Sequence, residues 1–264
     1  MSNLKGLSTN ALKIIAIICM ALDHAPFIAV DSKAVYYDFP WFLLHAVGRI
    51  TAPIFFYLLA VGYRRTRNAN RYTLRLLVFA LISYVPYVWY FEDAPPDASN
   101  FTHLNVIFTM LFGLLMLRSI HEIPSKPLKA VGVALCLLGA FYADYGLYGM
   151  AIILVFDLCR GDRGRTILGF GAVCMVYVYK NVMTIVGDGP DALTAMFSAW
   201  QTPLYAHYFI VQLCQLIPLT LIAAHRLWQP DANEERPGFI AKWGFYIFYP
   251  AHIIILLTIR NYYF

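Results

Sequence analysis

The sequence predicts an all-α, polytopic membrane helix bundle, and three observations support this class. Sixty per cent of the 264 residues are hydrophobic, against about 45–50% in soluble domains. Only 13% are charged, roughly half of the usual share of about 25%, and the mean hydropathy is +0.61. The apolar residues form long runs that short charged loops separate. Because too few polar residues remain to cover a soluble domain, we expect a single membrane domain over residues 1–264.

The apolar runs have the length of membrane spans. A transmembrane helix needs about 17–25 mostly apolar residues, and two of the runs, 128–143 and 147–159, are shorter than this. We predict about nine transmembrane helices, at 12–30, 41–63, 72–91, 104–120, 128–143, 147–159, 166–187, 203–225 and 240–259.

Basic residues concentrate on one side of the predicted membrane. The amino terminus and alternate loops together contain 16 of the 20 lysines and arginines, whereas the intervening loops are acidic. Lysine and arginine in short loops mark the cytoplasmic side, so we expect a cytoplasmic amino terminus and a multi-pass protein of the cell inner membrane. No basic stripe interleaved with exposed aromatic residues is present, which argues against a nucleic-acid partner. The five cysteines form no C-x-x-C pair, so we expect no metal site.

Polar side chains lie at membrane depth in several predicted spans. Asp23 and His24 are adjacent in the first span, Arg49 is in the second, Asn105 opens the fourth, and His252 is in the ninth. Ionisable groups at this depth are costly and usually mark a pathway or a reactive site. With a rise of about 1.5 Å per residue, we expect all of these groups in the middle or outer half of the bilayer.

Each of these residues has both a structural and a functional interpretation. Asp23 and Arg49 can form a buried ion pair, His24 and His252 can be hydrogen-bonded core residues, and Asn105 can cap a helix. Alternatively, a neutral histidine can remove a proton from an attacking amine or hydroxyl. The remaining histidines lie near loops or span ends, where we expect them to be solvated or interfacial: His45, His103, His121, His207 and His225.

Several stretches of the chain, in order, resemble the TraX family of membrane proteins. The longest are LKIIAIICMALDHAPF at 12–27, GRITAPIFFYLLAVGY at 48–63, RYTLRLLVFALISYVPY at 71–87 and KWGFYIFYPAHIIIL at 242–256, with shorter ones at 104–115 and 144–149. The likeness is weakest over 160–238. TraX is linked to acetylation of the amino terminus of F-type pilin. The resemblance therefore implies an acyltransferase that takes acetyl-CoA from the cytosol and acylates an acceptor at the outer side.

The resemblance also implies roles for individual residues. His24 is the candidate catalytic base, and Asp23 is the candidate residue that orients it or stabilises its charge. The candidates for contact with the acyl donor, its phosphates or the developing oxyanion are Arg49, Asn105, Tyr249, His252, Arg64 and Arg75, and Asp144 is a further candidate for orientation or for contact with the donor.

The sequence leaves alternatives for the acceptor, for the route of acyl transfer and for the function itself. The acceptor is either an amine, such as the pilin amino terminus, or a hydroxyl of an envelope glycan, and transfer is either direct or through an acyl-histidine. A proton-coupled transporter would use Asp23, Arg49 and His252 as a relay, but the chain shows no two similar halves of the kind many transporters have. A non-catalytic pilus assembly factor is the other alternative, and it would not require a buried histidine.

Overall fold

A computed structural model describes residues 6–29, 39–186, 203–225 and 239–263, and the regular structure in these ranges is helical. The predicted all-α class is confirmed. The helices are α1 (Thr9–His24), α2 (Phe39–Gly48), α3 (Thr51–Arg65), α4 (Ala69–Glu92), α5 (Val106–Glu122), α6 (Lys126–Ala140), α7 (Gly146–Leu158), α8 (Arg163–Val186), α9 (Pro203–Leu213), α10 (Pro218–Ala223) and α11 (Phe239–Tyr263). Short 3₁₀ segments follow α1 at Ala25–Ile28 and α9 at Cys214–Leu216.

Four segments of the described chain are long and apolar enough to cross a membrane: Thr9–Ile28, Phe39–Arg65, Ala69–Glu92 and Lys242–Tyr262. Two further apolar stretches, Gly146–Leu158 and Phe209–Ala223, are shorter. Helix is present in every predicted span. The membrane character is thereby supported, whereas nine transmembrane helices and a cytoplasmic amino terminus stay predictions.

The exterior of the bundle is apolar, and several polar groups lie inside it. Large side chains such as Leu138, Leu168 and Val176 are 66%, 74% and 69% exposed. By contrast, Asp23, His45 and other polar residues are buried. An apolar surface of this extent suits contact with lipid tails rather than with water.

The predicted span 41–63 is divided into two helices by a turn at Arg49 and Ile50. Pro53 accounts for the break, because proline has no N–H to donate and its ring clashes with the carbonyl four residues earlier, which belongs to Arg49. The turn is closed by shorter-range bonds, from Arg49 N to the Ala46 carbonyl at 3.3 Å and from Ile50 N to the Val47 carbonyl at 3.2 Å. The predicted span 203–225 is divided in the same way, just before Pro218.

Helix α3 lies at the centre of the bundle. Its residues from Thr51 to Ala60 are all buried, and it contacts α1, α5 and α7. At its far end, about 20 Å from Thr51 along the helix, Arg64 donates from Nε to the Oδ1 of Asp157 on α7 at 2.7 Å. Its Nη2 lies 2.7 Å from the same oxygen and 2.8 Å from the His121 Nε2. His121 of α5 contacts the other Asp157 oxygen at 2.6 Å. A fully buried carboxylate therefore joins three helix ends.

We expect Asp157→Asn to lower the free energy of unfolding by about 1–3 kcal/mol, because Arg64 and His121 lose a charged acceptor. The Arg64 side chain is 32% exposed, so water compensates for part of the loss. Thermal unfolding of the purified protein in detergent measures the effect. Asp162→Asn is the control, since Asp162 pairs with Arg165 on the surface, where such pairs contribute about 0–1 kcal/mol. Equal shifts in Tm for both variants would contradict the assignment.

Candidate functional site

A cavity of about 200 Å³ lies inside the bundle, between the carboxyl end of α1, the α2–α3 break and the turn before α7. Its polar and charged lining residues include five that the sequence singled out, Asp23, His24, Arg49, Asp144 and Tyr249. The other polar lining residues are His45, Thr51, Tyr87, Tyr145 and Tyr177, and Gly48 also lines the cavity. Residues distant in the sequence therefore meet around one space.

The end of α1 fixes the positions of Asp23 and His24. The helix gives way to a 3₁₀ turn containing Pro26, and the Tyr90 hydroxyl donates to the His24 carbonyl at 2.7 Å. This bond joins α4 to the end of α1. Because consecutive helical residues point about 100° apart, Asp23 and His24 meet different partners.

His24 forms a hydrogen-bonded chain with α11. The His252 Nδ1 lies 2.9 Å from the Phe248 carbonyl, and its Nε2 lies 2.8 Å from the His24 Nδ1. The carbonyl only accepts, so Nδ1 of His252 carries the proton, and its Nε2 in the neutral ring accepts from His24 Nδ1. His24 Nε2 then holds a lone pair and can act as a base. This assignment of protons follows from the hydrogen-bond network.

A second chain begins at Asp23. The His45 Nδ1 lies 2.5 Å from the Asp23 carboxylate, and the Arg49 Nη2 lies 2.8 Å from the His45 Nε2. Arginine can only donate, so His45 accepts at Nε2, donates at Nδ1 and is neutral. The imidazole thus links a carboxylate to a guanidinium, and the two formal charges balance.

The expectation that His45 is solvated is wrong, because His45 is only 6% exposed. We expected Asp23 to pair with Arg49, but His45 is the hydrogen-bond partner of both residues. The sequence contained a signal for this, since residues four apart share a helix face. His225 is also buried rather than solvated. Its ring contacts the Tyr57 hydroxyl and the Thr9 hydroxyl, away from the cavity lining.

His252 does not line the cavity itself and reaches it through its contact with His24. Three more of the predicted site residues, Asn105, Arg64 and Arg75, do not line the cavity. Asn105 caps α5 by accepting from Ile107 N at 3.0 Å, and its amide donates to the Ala80 carbonyl. Arg64 is bound to Asp157. The Arg75 guanidinium lies over the rings of Tyr72 and Trp243, at 5.4 and 5.8 Å. Contact of these three residues with an acyl donor stays a prediction.

Comparison with known proteins gives two matches. The family model described as TraX protein matches residues 8–260. A probable fimbrial assembly protein, FimC of serogroup H1 from Dichelobacter nodosus, is 26% identical over 257 residues, which cover 96% of each chain. No solved structure gives a significant match.

The close approach of α1 and α2 depends on Gly48. A Cβ at this position would lie 2.1 Å from the Asp23 Cγ and 2.5 Å from its Oδ1, distances at which atoms overlap. Glycine therefore allows the Asp23 carboxylate to reach His45.

We expect Gly48→Ala to displace the Asp23 side chain, break its bond to His45 and lower the Tm by several degrees, because a buried carboxylate then loses its donor. Thermal unfolding in detergent is the measurement. Gly171→Ala on α8 is the matched control, since a Cβ there meets nothing within 4 Å and alanine favours helix over glycine. A Gly48→Ala protein as stable as the control variant would refute the packing argument.

Proposed function

The chain belongs to the TraX family, and from this membership we propose that it is a membrane-embedded acetyltransferase. It moves an acetyl group from cytosolic acetyl-CoA to an amine or hydroxyl acceptor, such as a pilin amino terminus or an envelope glycan, at the outer side of the membrane. The proposal includes a multi-pass protein of the inner membrane with a cytoplasmic amino terminus.

The proposal rests on the protonation of His24 and on its position in the cavity lining. Acyl transfer to an amine or hydroxyl needs a base that faces a space large enough for both reactants. His24 lines the cavity, and its contact with His252 directs the lone pair to Nε2. His252 orients the ring, much as the carboxylate of a catalytic triad orients its histidine.

The size of the cavity limits what it can hold. Pockets for drug-sized ligands are about 300–1,000 Å³, and this one is about 200 Å³. It therefore suits the acetyl thioester together with the reacting group of the acceptor, and the nucleotide part of the donor lies outside. The exposed residues Arg160, Arg163 and Arg165 are suitable partners for its phosphates.

The chemistry follows from the positions of the charged groups. The proton of the acceptor moves to His24 Nε2 as the new N–C or O–C bond forms. The C–S bond then breaks, and His24 returns the proton to the thiolate sulfur. Arg49 stabilises the oxyanion between these events, and its contact with His45 holds it in place. Asp23 lies next to His24 in the sequence and favours the transient imidazolium.

A second candidate function is pilus assembly without catalysis. The name of the Dichelobacter relative, a probable fimbrial assembly protein, favours this second function. An assembly factor requires a surface for its partner, and it has no use for a histidine pair next to an internal cavity. Binding of labelled acetyl-CoA by the purified protein separates the two functions, because only the enzyme requires it.

We expect His24→Ala to abolish acetyl transfer, with a loss of at least about 100-fold, while the variant still folds and binds acetyl-CoA. The measurements are transfer of labelled acetyl groups to extracted pilin and envelope glycan fractions, thermal unfolding, and equilibrium binding of acetyl-CoA. His103→Ala is the control, since that histidine lies on the surface beside Glu92. Near-normal turnover in the His24 variant would defeat the assignment.

A further inference from the structure

Asp144 is a cavity residue that the proposed mechanism does not use. We propose that Asp144 is a specificity-determining residue of this site, whose carboxylate binds a positively charged ammonium group of the acceptor. The inference rests on the proposed function, and it assigns to one residue the choice between an amine and a hydroxyl.

Hydrogen bonds fix the backbone around Asp144. Its N–H donates to the Leu104 carbonyl at 2.8 Å, and its carbonyl accepts from the Thr109 hydroxyl. The Tyr145 N–H donates to the Asp144 Oδ1 at 2.9 Å. The same turn holds Tyr145 at a φ of 64°, a left-handed conformation that bulky residues rarely adopt. These bonds fix a carboxylate and a tyrosine at the edge of the cavity.

Only one carboxylate oxygen of Asp144 is used in this turn. Among the residues that the structure describes, Oδ2 has no hydrogen-bond partner, and it is not among the fully enclosed atoms that lack one. The residue lines the cavity. The second oxygen is therefore available to a group that enters this space.

Among the described residues that line the cavity, two carboxylates, Asp23 and Asp144, accompany one guanidinium, that of Arg49. Asp23 and Arg49 are linked through a neutral His45. Arg49 also acts electrostatically on Asp144, but within the described chain no hydrogen bond joins Asp144 to a cationic side chain. Asp144 is partly buried, and a charge in such a place is costly unless an opposite charge approaches it. An ammonium group supplies that charge, whereas a hydroxyl does not.

Aromatic rings complete the surroundings of this carboxylate. Tyr87, Tyr145, Tyr177 and Tyr249 all line the cavity, and each lies within electrostatic range of Asp144. The faces of tyrosine rings attract cations, and a carboxylate among such rings is a suitable receptor for an ammonium group.

Binding as an ammonium is compatible with transfer. The ammonium first releases one proton to water and becomes a neutral amine, which attacks the thioester. As the N–C bond forms, a second proton moves from nitrogen to His24 Nε2. The C–S bond breaks, and His24 returns this proton to the thiolate sulfur, so one proton is released in each cycle.

The test uses the purified full chain and two synthetic peptides that differ in one group. One peptide has a free amino-terminal glycine, and the other has a glycolyl group there, with a hydroxyl in place of the ammonium. We expect Asp144→Asn to raise the KM for the glycine peptide at least tenfold and to leave the KM for acetyl-CoA unchanged. Asp144→Glu should restore part of the affinity. Asp97→Asn, at an exposed aspartate of the loop between α4 and α5, should behave like the wild type.

An unchanged KM for the glycine peptide in a folded Asp144→Asn protein would overturn the proposal, as would wild-type transfer to the glycolyl peptide with an equal KM.

If the variants fail to fold, inhibition of the wild-type protein tests the proposal. Inhibition by n-butylammonium but not by n-butanol supports a cation subsite, and equal effects contradict it. If the wild type transfers no acetyl group, the proposed function fails by itself. Calorimetric binding of the two peptides to the wild type then tests the subsite, and failure to prefer the glycine peptide refutes it.

Discussion

The contact between Asp23 and the α2 backbone at Gly48 is the constraint on which the site depends. A side chain at residue 48 would occupy the space of the carboxylate, so the two helices approach closely only because this residue is glycine. The approach buries Asp23 and puts it 2.5 Å from His45. Within the same turn of helix, His45 reaches Arg49 at the point where α2 ends. One helix contact thus places a negative and a positive charge inside an apolar bundle at a lower cost than either charge would have alone.

Two neighbouring residues at the end of α1 take part in chains with different electrostatic character. The chain from Asp23 contains two opposite charges and a neutral ring between them. The chain from His24 contains two neutral rings and ends at the Phe248 carbonyl. The first chain is suited to hold a cationic group in position, and the second leaves the Nε2 lone pair of His24, a residue that lines the cavity, without a proton. Because the residues are adjacent, a movement of α1 would change both chains together, so the proposed proton removal and the proposed stabilisation of negative charge would change together.

The sequence predicted the all-α class and helix in every span, because long apolar runs have few alternatives in a membrane. It also singled out Asp23, His24, Arg49 and Tyr249, which line the cavity. It did not predict the break after Gly48, although Pro53 was a visible cause. His45 was missed because nearness to a predicted span end was taken as exposure. Which helices adjoin α2 depends on packing between distant segments, and neither periodicity nor charge in a single sequence determines it.

Two aspartates in this bundle show how a structural carboxylate differs from one that is available to a ligand. Asp157 is fully buried, and both of its oxygens are bonded, to Arg64 and to His121. Its charge is compensated, so it can stabilise helix ends but has little capacity left to bind another group. Asp144 has one oxygen that accepts from a backbone N–H, and the residue lines the cavity. In the described chain no hydrogen bond joins Asp144 to a cationic side chain, so its second oxygen is open to the cation that we propose as its ligand.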